Sequence, residues 1–397
     1  MYLKKRVQSL SDKYLQEIID IRRHLHKHPE LSFNENETSQ FIQDKLMEYG
    51  IPFKSGFVKT GILGRIDGEK GVGRVVALRA DMDALPIGED TTLPFKSVNG
   101  GVMHACGHDA HIASLLGTAK ILNALKEEWG GTVLLIFQPG EEVSPGGAKL
   151  MMEEGVFNDL SPDVIIGQHV LPEMESGHVG FKEGMYMASG DEVHITVKGR
   201  GGHAAMPHML NDTVLIASQI VVNLQQIASR FVPAGIPMVL SFGRMIADGA
   251  TNIIPEEVKI AGTLRIMDEE WRAKVKQKIE DIVTATAGSM GAEAEIDIKD
   301  GYPVVFNDSD ITKRAVSVAQ NFLGKDSIEE MDIRMTAEDF GFFSKSYPSL
   351  FYRFGVKREG ENTGRLHTST FNLNEKALRT SSGIMAVEAL EFLKEEK

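Results

Sequence analysis

The stretch VVALRADMD, residues 75–83, decides the fold, because it reads as a buried strand that runs directly into two carboxylates. The segments that follow it alternate in kind. HIASLLGTAKILNAL (111–125) has the apolar spacing of a helix, whereas TVLLIFQPGEE (132–142) and DVIIGQH (163–169) are short apolar runs typical of strands. This alternation predicts a parallel sheet covered by helices.

Both ends of the chain extend the same pattern. Apolar residues recur every three or four positions from Leu10 to Leu25, which predicts an amphipathic helix that stops before Pro29. Near the other end, IEEMDIR (328–334) and SLFYRFGV (349–356) read as strands, and ALRTSSGIMAVEALEFLK (377–394) reads as a closing helix. We therefore expect the sheet domain to resume after an insertion.

The insertion is the segment 188–298, which has a different character. Its strand-like and helix-like runs follow the order β-α-β-β-α-β, which is the order of a ferredoxin-like unit. The predicted organisation is a discontinuous sheet domain, residues 1–187 and 299–397, with an inserted ferredoxin-like α+β domain at 188–298.

Composition limits the possible partners and location. A net charge of −13 argues against nucleic acid and anionic membranes, because binding to phosphate requires a basic surface. No run of 18 apolar residues could span a bilayer, and the N-terminal residues lack the apolar core of a signal peptide. A single cysteine excludes an internal disulfide framework. We expect a cytoplasmic protein.

Polar side chains collect where three predicted strands end. Asp81 and Asp83 end the first of these strands, Glu141 and Glu142 follow the second, and His169 ends the third. Ligands of open α/β sheets bind in the crevice at the carboxyl ends of the strands. These side chains are therefore expected to converge on one site.

The only cysteine lies in HACGHDAH, residues 104–111, among three histidines. Because Cys106 and His108 are two residues apart, an irregular or extended loop before the helix would direct both into the crevice. Together with Glu142, His169 and one later histidine, they could bind two divalent ions. A thiolate between two metals can bridge them, since their charge lowers its pKa. This mixture of ligands suits Zn, Mn, Co or Ni better than Ca.

No single feature of this set is decisive. A lone buried cysteine is usually packed as a small hydrophobe, and adjacent glutamates usually form a solvated surface pair. Their combination at strand ends favours a site, in which one glutamate binds metal and the other acts as general base. Five other histidines are expected to be structural: His24, His26, His28, His178 and His194. For His104 and His111, a structural role and a role in orienting a metal ligand both stay open.

The chain resembles, over nearly its whole length, the metal-dependent aminoacylases and carboxypeptidases that include hippurate hydrolases and auxin-conjugate amidohydrolases. The matching stretches occur in the order of that family: RRHLHKHPELSFNENET, LRADMDALP, HACGHDAH, FQPGEE, GQHV, GRGGHAAMPH, ATNIIPEE, GTLR, TAEDFG and LHTSTFN. The resemblance implies an α/β fold with a mixed, mostly parallel sheet, like that of dinuclear metallopeptidases, and a dimerisation or lid domain as the insertion.

One departure sharpens the resemblance. In the wider family, an H-x-D-x-x-P signature supplies the first metal-binding histidine, but LRADMDALP has Asp81 at that position. The family's bridging aspartate falls on Cys106, and His108 would supply the missing imidazole. This pattern is typical of the subgroup with hippurate and auxin-conjugate hydrolases, and it leaves the preferred metal open.

By the same resemblance, two metals would share Cys106. His108 and His169 would complete one ligand set, and Glu142 and His367 would complete the other.

The resemblance also assigns roles outside the ligand sets. Glu141 would be the general base, and Asp83 would orient a histidine ligand. His203 would stabilise the oxyanion in the active site of a partner subunit, and Asn252 and Arg265 would hold the substrate. Asn252 could instead cap a turn before Pro255, and Arg265 could simply alternate along a strand.

The implied reaction is metal-dependent hydrolysis of the amide bond in N-acyl amino acids, with acetyl, benzoyl or similar acyl groups. The implied assembly is a homodimer or homotetramer. A dipeptidase or carboxypeptidase acting on small peptides, and an inactive binding module, are the alternatives. A cysteine hydrolase with Cys106 as nucleophile is a further rival, but it would leave the paired glutamates and the strand-end histidine unexplained.

Overall fold

The computed structural model describes residues 2–358, 360 and 363–394. Its helices are α1 (Tyr2–Lys27), α2 (Asn36–Glu48), α3 (His108–Ala124), α4 (Gly147–Glu153), α5 (Thr213–Leu224), α6 (Glu269–Ser289), α7 (Ser309–Leu323), α8 (Gly341–Ser346) and α9 (Ala377–Phe392). Its strands are β1 (Phe53–Phe57), β2 (Gly61–Asp67), β3 (Val75–Asp81), β4 (Thr132–Gln138), β5 (Val164–Glu175), β6 (Val179–Phe181), β7 (Gly184–Met187), β8 (Gly190–Lys198), β9 (Gly202–His203), β10 (Met238–Ala247), β11 (Ile253–Ile254), β12 (Glu257–Ile266), β13 (Glu293–Tyr302), β14 (Val305–Asn307), β15 (Ile328–Glu330) and β16 (Ser349–Lys357).

The chain forms two compact units. The first unit comprises Met1–Gly184, Phe306–Asp332 and Phe342–Lys397, and the second comprises Met185–Val305 and Ile333–Gly341. Each unit has a hydrophobic core of its own.

The first unit is built on an eight-stranded sheet with the order β1-β2-β4-β3-β5-β16-β6-β15. Strand β3 pairs in parallel with both β4 and β5, β5 pairs in parallel with β16, and β6 pairs in parallel with β15. The β1–β2, β2–β4 and β6–β16 pairs are antiparallel. The predicted mixed, mostly parallel sheet is therefore confirmed, and its antiparallel edge comes from a hairpin that the sequence pattern did not reveal.

The centre of this sheet is buried on both faces. Every residue of β3 and β4 is buried, as expected for parallel strands that are covered by helices. Helices α1, α3 and α9 pack against one another, and most residues of α3 and α9 are buried. Among the helices in the described ranges, none is both long and apolar enough to cross a membrane.

Several elements differ in length from the sequence prediction. Helix α1 starts at Tyr2, well before Leu10, because its apolar stripe begins with the buried Val7. Strand β5 runs on past His169 to Glu175, since β16 pairs with it over that distance. The strand predicted at 328–334 is confined to Ile328–Glu330, where it meets the equally short β6.

The second unit contains a four-stranded antiparallel sheet with the order β10-β12-β8-β13. Helices α5 and α6 pack on this sheet, and apolar residues such as Val193, Ile195, Ile220 and Ile279 form their shared core. Both helices begin at an aspartate cap, because the side chains of Asp212 and Asp268 accept backbone N–H groups of the first turn. This order of elements is the ferredoxin-like arrangement expected from the sequence.

Candidate metal centre

The loops after β3 and β4 and the outer half of β5 supply the polar groups of the candidate site. In the β3–β4 register Asp81 lies opposite Gln138, so the segments that follow the two strands leave the same edge of the sheet. His169 lies on β5, two residues beyond the last β3–β5 pair, which joins Arg79 to Gly167. The convergence of strand ends that the sequence predicts is therefore present in the first unit.

Gly107 directs Cys106 and His108 to the same side. Its φ of +86° lies in the left-handed region, and a Cβ on it would stand 2.7 Å from Cγ2 of Val170. The irregular backbone is limited to this turn, because α3 already begins at His108. The expectation that both residues lie on a loop is thus correct for Cys106 and wrong for His108.

The five residues predicted as metal ligands lie together. Cys106 Sγ is 3.4 Å from Nε2 of His169 and 3.3 Å from Nε2 of His367. Glu142 Oε1 is 3.2 Å from His367 Nε2 and 4.0 Å from His108 Nε2. Their donor atoms form two groups that share the thiol, Cys106 with His108 and His169, and Cys106 with Glu142 and His367.

His367 reaches this cluster through a strained turn. Its φ of +60° is unusual for a residue with a side chain, and its backbone N–H donates to the carbonyl of Ala105 at 2.9 Å. This hydrogen bond ties the His367 turn to the residue that precedes Cys106. Of the five side chains, only His367 is substantially exposed, at 51%.

The cluster contains buried polar atoms that lack a normal hydrogen-bond partner among the described residues. These atoms are Nε2 of His108, Oε1 of Glu142 and Oδ1 of Asp83. Leaving such atoms buried without a partner is costly, and one cation in each donor group would satisfy the imidazole nitrogen and the carboxylate oxygen. The donor set of one thiol, imidazoles and a carboxylate therefore fits divalent metal ions.

The electrostatics of the cluster also suit a cation. Although burial lowers it, the pKa of His108 is raised to about 10 by the carboxylates of Asp81, Asp83 and Glu142. Burial raises the pKa of the Cys106 thiol, and Glu142 adds to that effect. Carboxylates are thus concentrated around a buried thiol, where a bound divalent ion would offset their charge.

Asp83 holds two of these side chains in place. Its backbone carbonyl lies 2.9 Å from Nδ1 of His108, so that Nδ1 donates to it and Nε2 faces the cluster. Its Oδ2 accepts the Ser32 hydroxyl at 2.6 Å and the backbone N–H of Glu142 at 3.0 Å. Asp83 therefore contacts both the imidazole of His108 and the backbone of the glutamate loop.

The loop that carries Glu141 and Glu142 is held by hydrogen bonding to Glu35, a residue that the sequence analysis did not single out. Glu35 is fully buried; its Oε1 accepts the backbone N–H of Gly140 at 2.9 Å and its Oε2 accepts the hydroxyl of Thr60 at 2.8 Å. Burial, helped by the charge of Asp83, raises the pKa of Glu35 to about 7. Glu141 itself is buried, with a carboxylate oxygen close to His108 and Glu142. The signal for Glu35 was its place in the stretch RRHLHKHPELSFNENET.

The other histidines of the first unit take different positions. His104 is fully buried, burial lowers its pKa to about 4, and neither ring nitrogen has a hydrogen-bond partner in the described part of the chain. His26 lies in a buried ion network with Arg22 and Asp109, and His24 stacks on Phe41. His111 contacts Asp81 and the backbone beside His169.

Three predicted site residues lie in the second unit. His203 is on β9, where it pairs with Ile253 of β11, and its Nδ1 accepts the backbone N–H of Ala205 at 3.1 Å. The carbonyl of Asn252 accepts the N–H of Ala204 at 3.0 Å, so His203 and Asn252 lie next to each other at the short β9–β11 pairing. Arg265 lies on β12, and its guanidinium lies close to Gly190. A Cβ on Gly190 would stand 1.9 Å from the guanidinium, so the glycine makes room for it. His203 and Asn252 therefore lie together, whereas Arg265 lies on a strand of the four-stranded sheet.

Comparison with known proteins identifies the class. Residues 77–388 match the model of peptidase family M20/M25/M40, so the chain belongs to that family. It is 45% identical to an N-acyl-L-amino acid amidohydrolase of Geobacillus stearothermophilus over 77% of this chain and 81% of that protein. It is 39% identical to an N-acetylcysteine deacetylase of Bacillus subtilis (strain 168), over 95% and 98% of the two chains.

A solved structure agrees with this assignment. A Bacillus subtilis protein described as a dinuclear metal binding peptidase of the M20 family superimposes with a TM-score of 0.83 and 35% identity, covering 96% of this chain and 99% of that chain. The family resemblance and the fold inferred from the sequence are both confirmed.

Proposed function

We propose that the protein hydrolyses the amide bond of N-acyl amino acids with the help of two divalent metal ions, and releases a carboxylic acid and a free amino acid. The observation that carries the proposal is the pair of donor groups that share the Cys106 thiol, in which His108 Nε2 and Glu142 Oε1 are buried without normal partners. The amidohydrolase and deacetylase activities of the similar proteins support the same reaction.

The metal ligands in this proposal are Cys106, His108, His169, Glu142 and His367. Bound there, divalent ions would polarise the amide carbonyl and make water more acidic. The donor set favours Zn, Mn, Co or Ni over Ca.

The remaining chemistry falls to the side chains. Glu141, which is buried beside His108 and Glu142, accepts a proton from the attacking water and later gives it to the leaving amine. Asp83 keeps His108 in the tautomer that presents Nε2 to the cluster. The Glu141 carboxylate therefore acts as base and then as acid, while the backbone carbonyl of Asp83 fixes the orientation of His108.

The second unit supplies substrate contacts in this proposal. Because Nδ1 of His203 accepts a backbone N–H, its proton is on Nε2, which can donate to the oxyanion that develops during attack. Asn252 and Arg265 hold the substrate. For Arg265 the support is a partly buried guanidinium, whose pKa burial lowers, and which can donate to a substrate carboxylate.

We further propose that residues 188–298 act as a dimerisation and lid domain on the catalytic domain formed by 1–187 and 299–397, and that His203 serves the partner subunit's site in a homodimer or homotetramer. Helix α5 and edge strand β10 support this assignment, because they expose Leu215, Val222, Met245 and Ile246 by 40–65%. Exposed apolar residues on an edge strand and its neighbouring helix favour pairing with another copy.

The assembly proposal is tested by Leu215→Asp, with Met47→Asp on α2 as a control of similar exposure, 57% against 59%. We expect Leu215→Asp to yield monomers in sedimentation while Met47→Asp leaves the assembly intact. Mixing inactive His203→Ala and Glu141→Gln subunits should restore activity. No restoration after confirmed subunit exchange would contradict shared sites.

A cytoplasmic location is part of the proposal, since a metal-binding thiol stays reduced there.

The division of labour between the two glutamates gives the main test. Glu141→Gln should lower kcat by at least about 100-fold while two metals per chain remain, because only the proton acceptor is lost. Glu142→Ala should lose metal, as measured by elemental analysis. Glu153→Gln on α4 is the control and should change neither. Near-normal kcat in Glu141→Gln would refute its role as base.

A further inference from the structure

A buried chain of hydrogen bonds runs beside His169. Nη1 of Arg79 donates to Oδ2 of Asp81 at 2.7 Å, and Oδ1 of Asp81 lies 2.6 Å from Nδ1 of His111. At the far end, the backbone N–H of Val170 donates to Nε2 of His111 at 3.0 Å. All three side chains are at most 1% exposed, so water does not replace these contacts.

This chain fixes the protonation of His111. A backbone N–H can only donate, so Nε2 of His111 must accept, and the ring proton is therefore on Nδ1. That proton is donated to Asp81, whose other oxygen is held by Arg79. Each group in the chain thus has one defined role, with no choice of tautomer.

The chain ends on the peptide from which His169 projects. The N–H of Val170 belongs to the 169–170 peptide, and the carbonyl of Val170 lies 2.8 Å from Nδ1 of His169. Because that carbonyl accepts a hydrogen bond from Nδ1–H, the lone pair of His169 Nε2 faces Cys106. The His111 ring also packs edge-on against the His169 ring, with centroids 4.6 Å apart.

Asp81 is poorly suited to bind a cation itself, although it stands close to His108 and His111. One of its oxygens is bonded to Arg79 and the other to His111. A cation between Asp81 and the histidines would have to displace the Arg79 or His111 hydrogen bond. Asp81 therefore holds neighbouring groups in place.

We propose that Asp81 and His111 are positioning residues, which lock the 169–170 peptide so that His169 presents Nε2 to the metal pair. This inference rests on the proposed function, because His169 is one of its metal ligands.

The test compares two substitutions of one residue by the affinity of the protein for Co²⁺. In His111→Gln the side-chain amide can still accept from Val170 and donate to Asp81, whereas His111→Leu can do neither. We expect His111→Leu to weaken one of two Co²⁺ binding steps by roughly 10- to 100-fold, which is typical for removing a group that orients a metal ligand. His111→Gln should bind both ions within about threefold of the wild type by the same reasoning.

Co²⁺ affinity is measured by competition with a chromogenic chelator, and the thiolate–cobalt absorption band reports Co²⁺ bound at Cys106. His178→Leu is the control, since His178 also has Nδ1 paired with a carboxylate, that of Glu329 at 2.9 Å, in the same unit. It should leave both binding steps unchanged. Equal affinity in wild type and His111→Leu, or equal weakening in His178→Leu, would overturn the proposal.

Asp81→Asn keeps the test decisive if His111→Leu does not fold. Arg79 and His111 both donate to Asp81, but an asparagine has only one acceptor oxygen. Its NH₂ group would therefore face one of these two donors, and that hydrogen bond would be lost. We expect it to weaken the same Co²⁺ step, and unchanged affinity would overturn the proposal. If the wild type itself bound fewer than two Co²⁺ ions, the proposed function would fail instead.

Discussion

Glu388, in the middle of α9, is a buried carboxyl whose replacement by glutamine should stabilise the protein at neutral pH. Its side chain is fully buried, and among the described residues neither carboxyl oxygen has a hydrogen-bond partner of normal geometry. The nearby Tyr352 hydroxyl donates instead to Gln168 at 3.0 Å. Burial raises the pKa of Glu388 well above its usual range.

The sign and size of the effect follow from proton linkage. Above a pH of about 4.3 the unfolded chain releases this proton, while the folded protein keeps it. The folded state then binds more protons, so the free energy of unfolding falls by up to about 1.4 kcal/mol for each pH unit, until the raised folded-state pKa is passed. Glutamine lacks this penalty. The advantage of Glu388→Gln should therefore grow between about pH 5 and about pH 7 by up to about 2.8 kcal/mol.

Urea denaturation of the metal-free protein at several pH values measures this difference without a contribution from metal binding. Glu391→Gln on the same helix is the control, because Glu391 forms only a surface ion pair with Lys394 at 2.6 Å. It should change the free energy of unfolding by less than about 0.5 kcal/mol. An advantage of Glu388→Gln that stays constant with pH, or no advantage at all, would refute the reasoning.

Three further substitutions test other contacts. Gly107→Ala should weaken Co²⁺ binding and lower thermal stability, because a Cβ there would meet a valine side chain at 2.7 Å. Gly101→Ala is the control: Gly101 has a similar φ of +82° but lies in open space, so this substitution should leave Co²⁺ binding unchanged. Arg22→Leu should destabilise the protein by about 3–5 kcal/mol in urea denaturation, since it leaves the buried Asp109 carboxylate, now 2.7 Å from Arg22, without its guanidinium. Glu35→Gln should become more stable than the wild type, by up to about 3 kcal/mol in the free energy of unfolding, as pH rises toward about 7, and the difference should then level off. The reason is that the folded-state pKa of Glu35 is raised to about 7. A difference that stays constant with pH would contradict this.

The sequence was enough to predict which side chains lie together in the first unit, because most of them follow the ends of neighbouring parallel strands. Asp83 and Glu142 follow the carboxyl ends of β3 and β4, and His169 lies on β5 just beyond the last residue that pairs with β3, so these parallel neighbours place the three residues at one edge. Cys106 and His108 could be added because they are two residues apart just before a predicted helix.

Other parts depend on contacts that no local pattern encodes. Ser32 and Glu35 precede α2 and reach the site only through the tertiary fold, by hydrogen bonds to Asp83 and Gly140. The role of His111 depends on a backbone N–H far away in the sequence, at Val170. The β1–β2 hairpin was missed because its residues are largely exposed in β1 and carry a weak apolar pattern.

The most direct test of the central claim is amine release from a panel of N-acyl amino acids and dipeptides, measured with the metal-loaded protein before and after chelation. We predict release from a subset of the N-acyl amino acids, its loss on chelation, and its return when Zn²⁺, Mn²⁺ or Co²⁺ is added. Release confined to dipeptides would show a peptidase instead. No release from any member, with two metals per chain verified, would contradict the account.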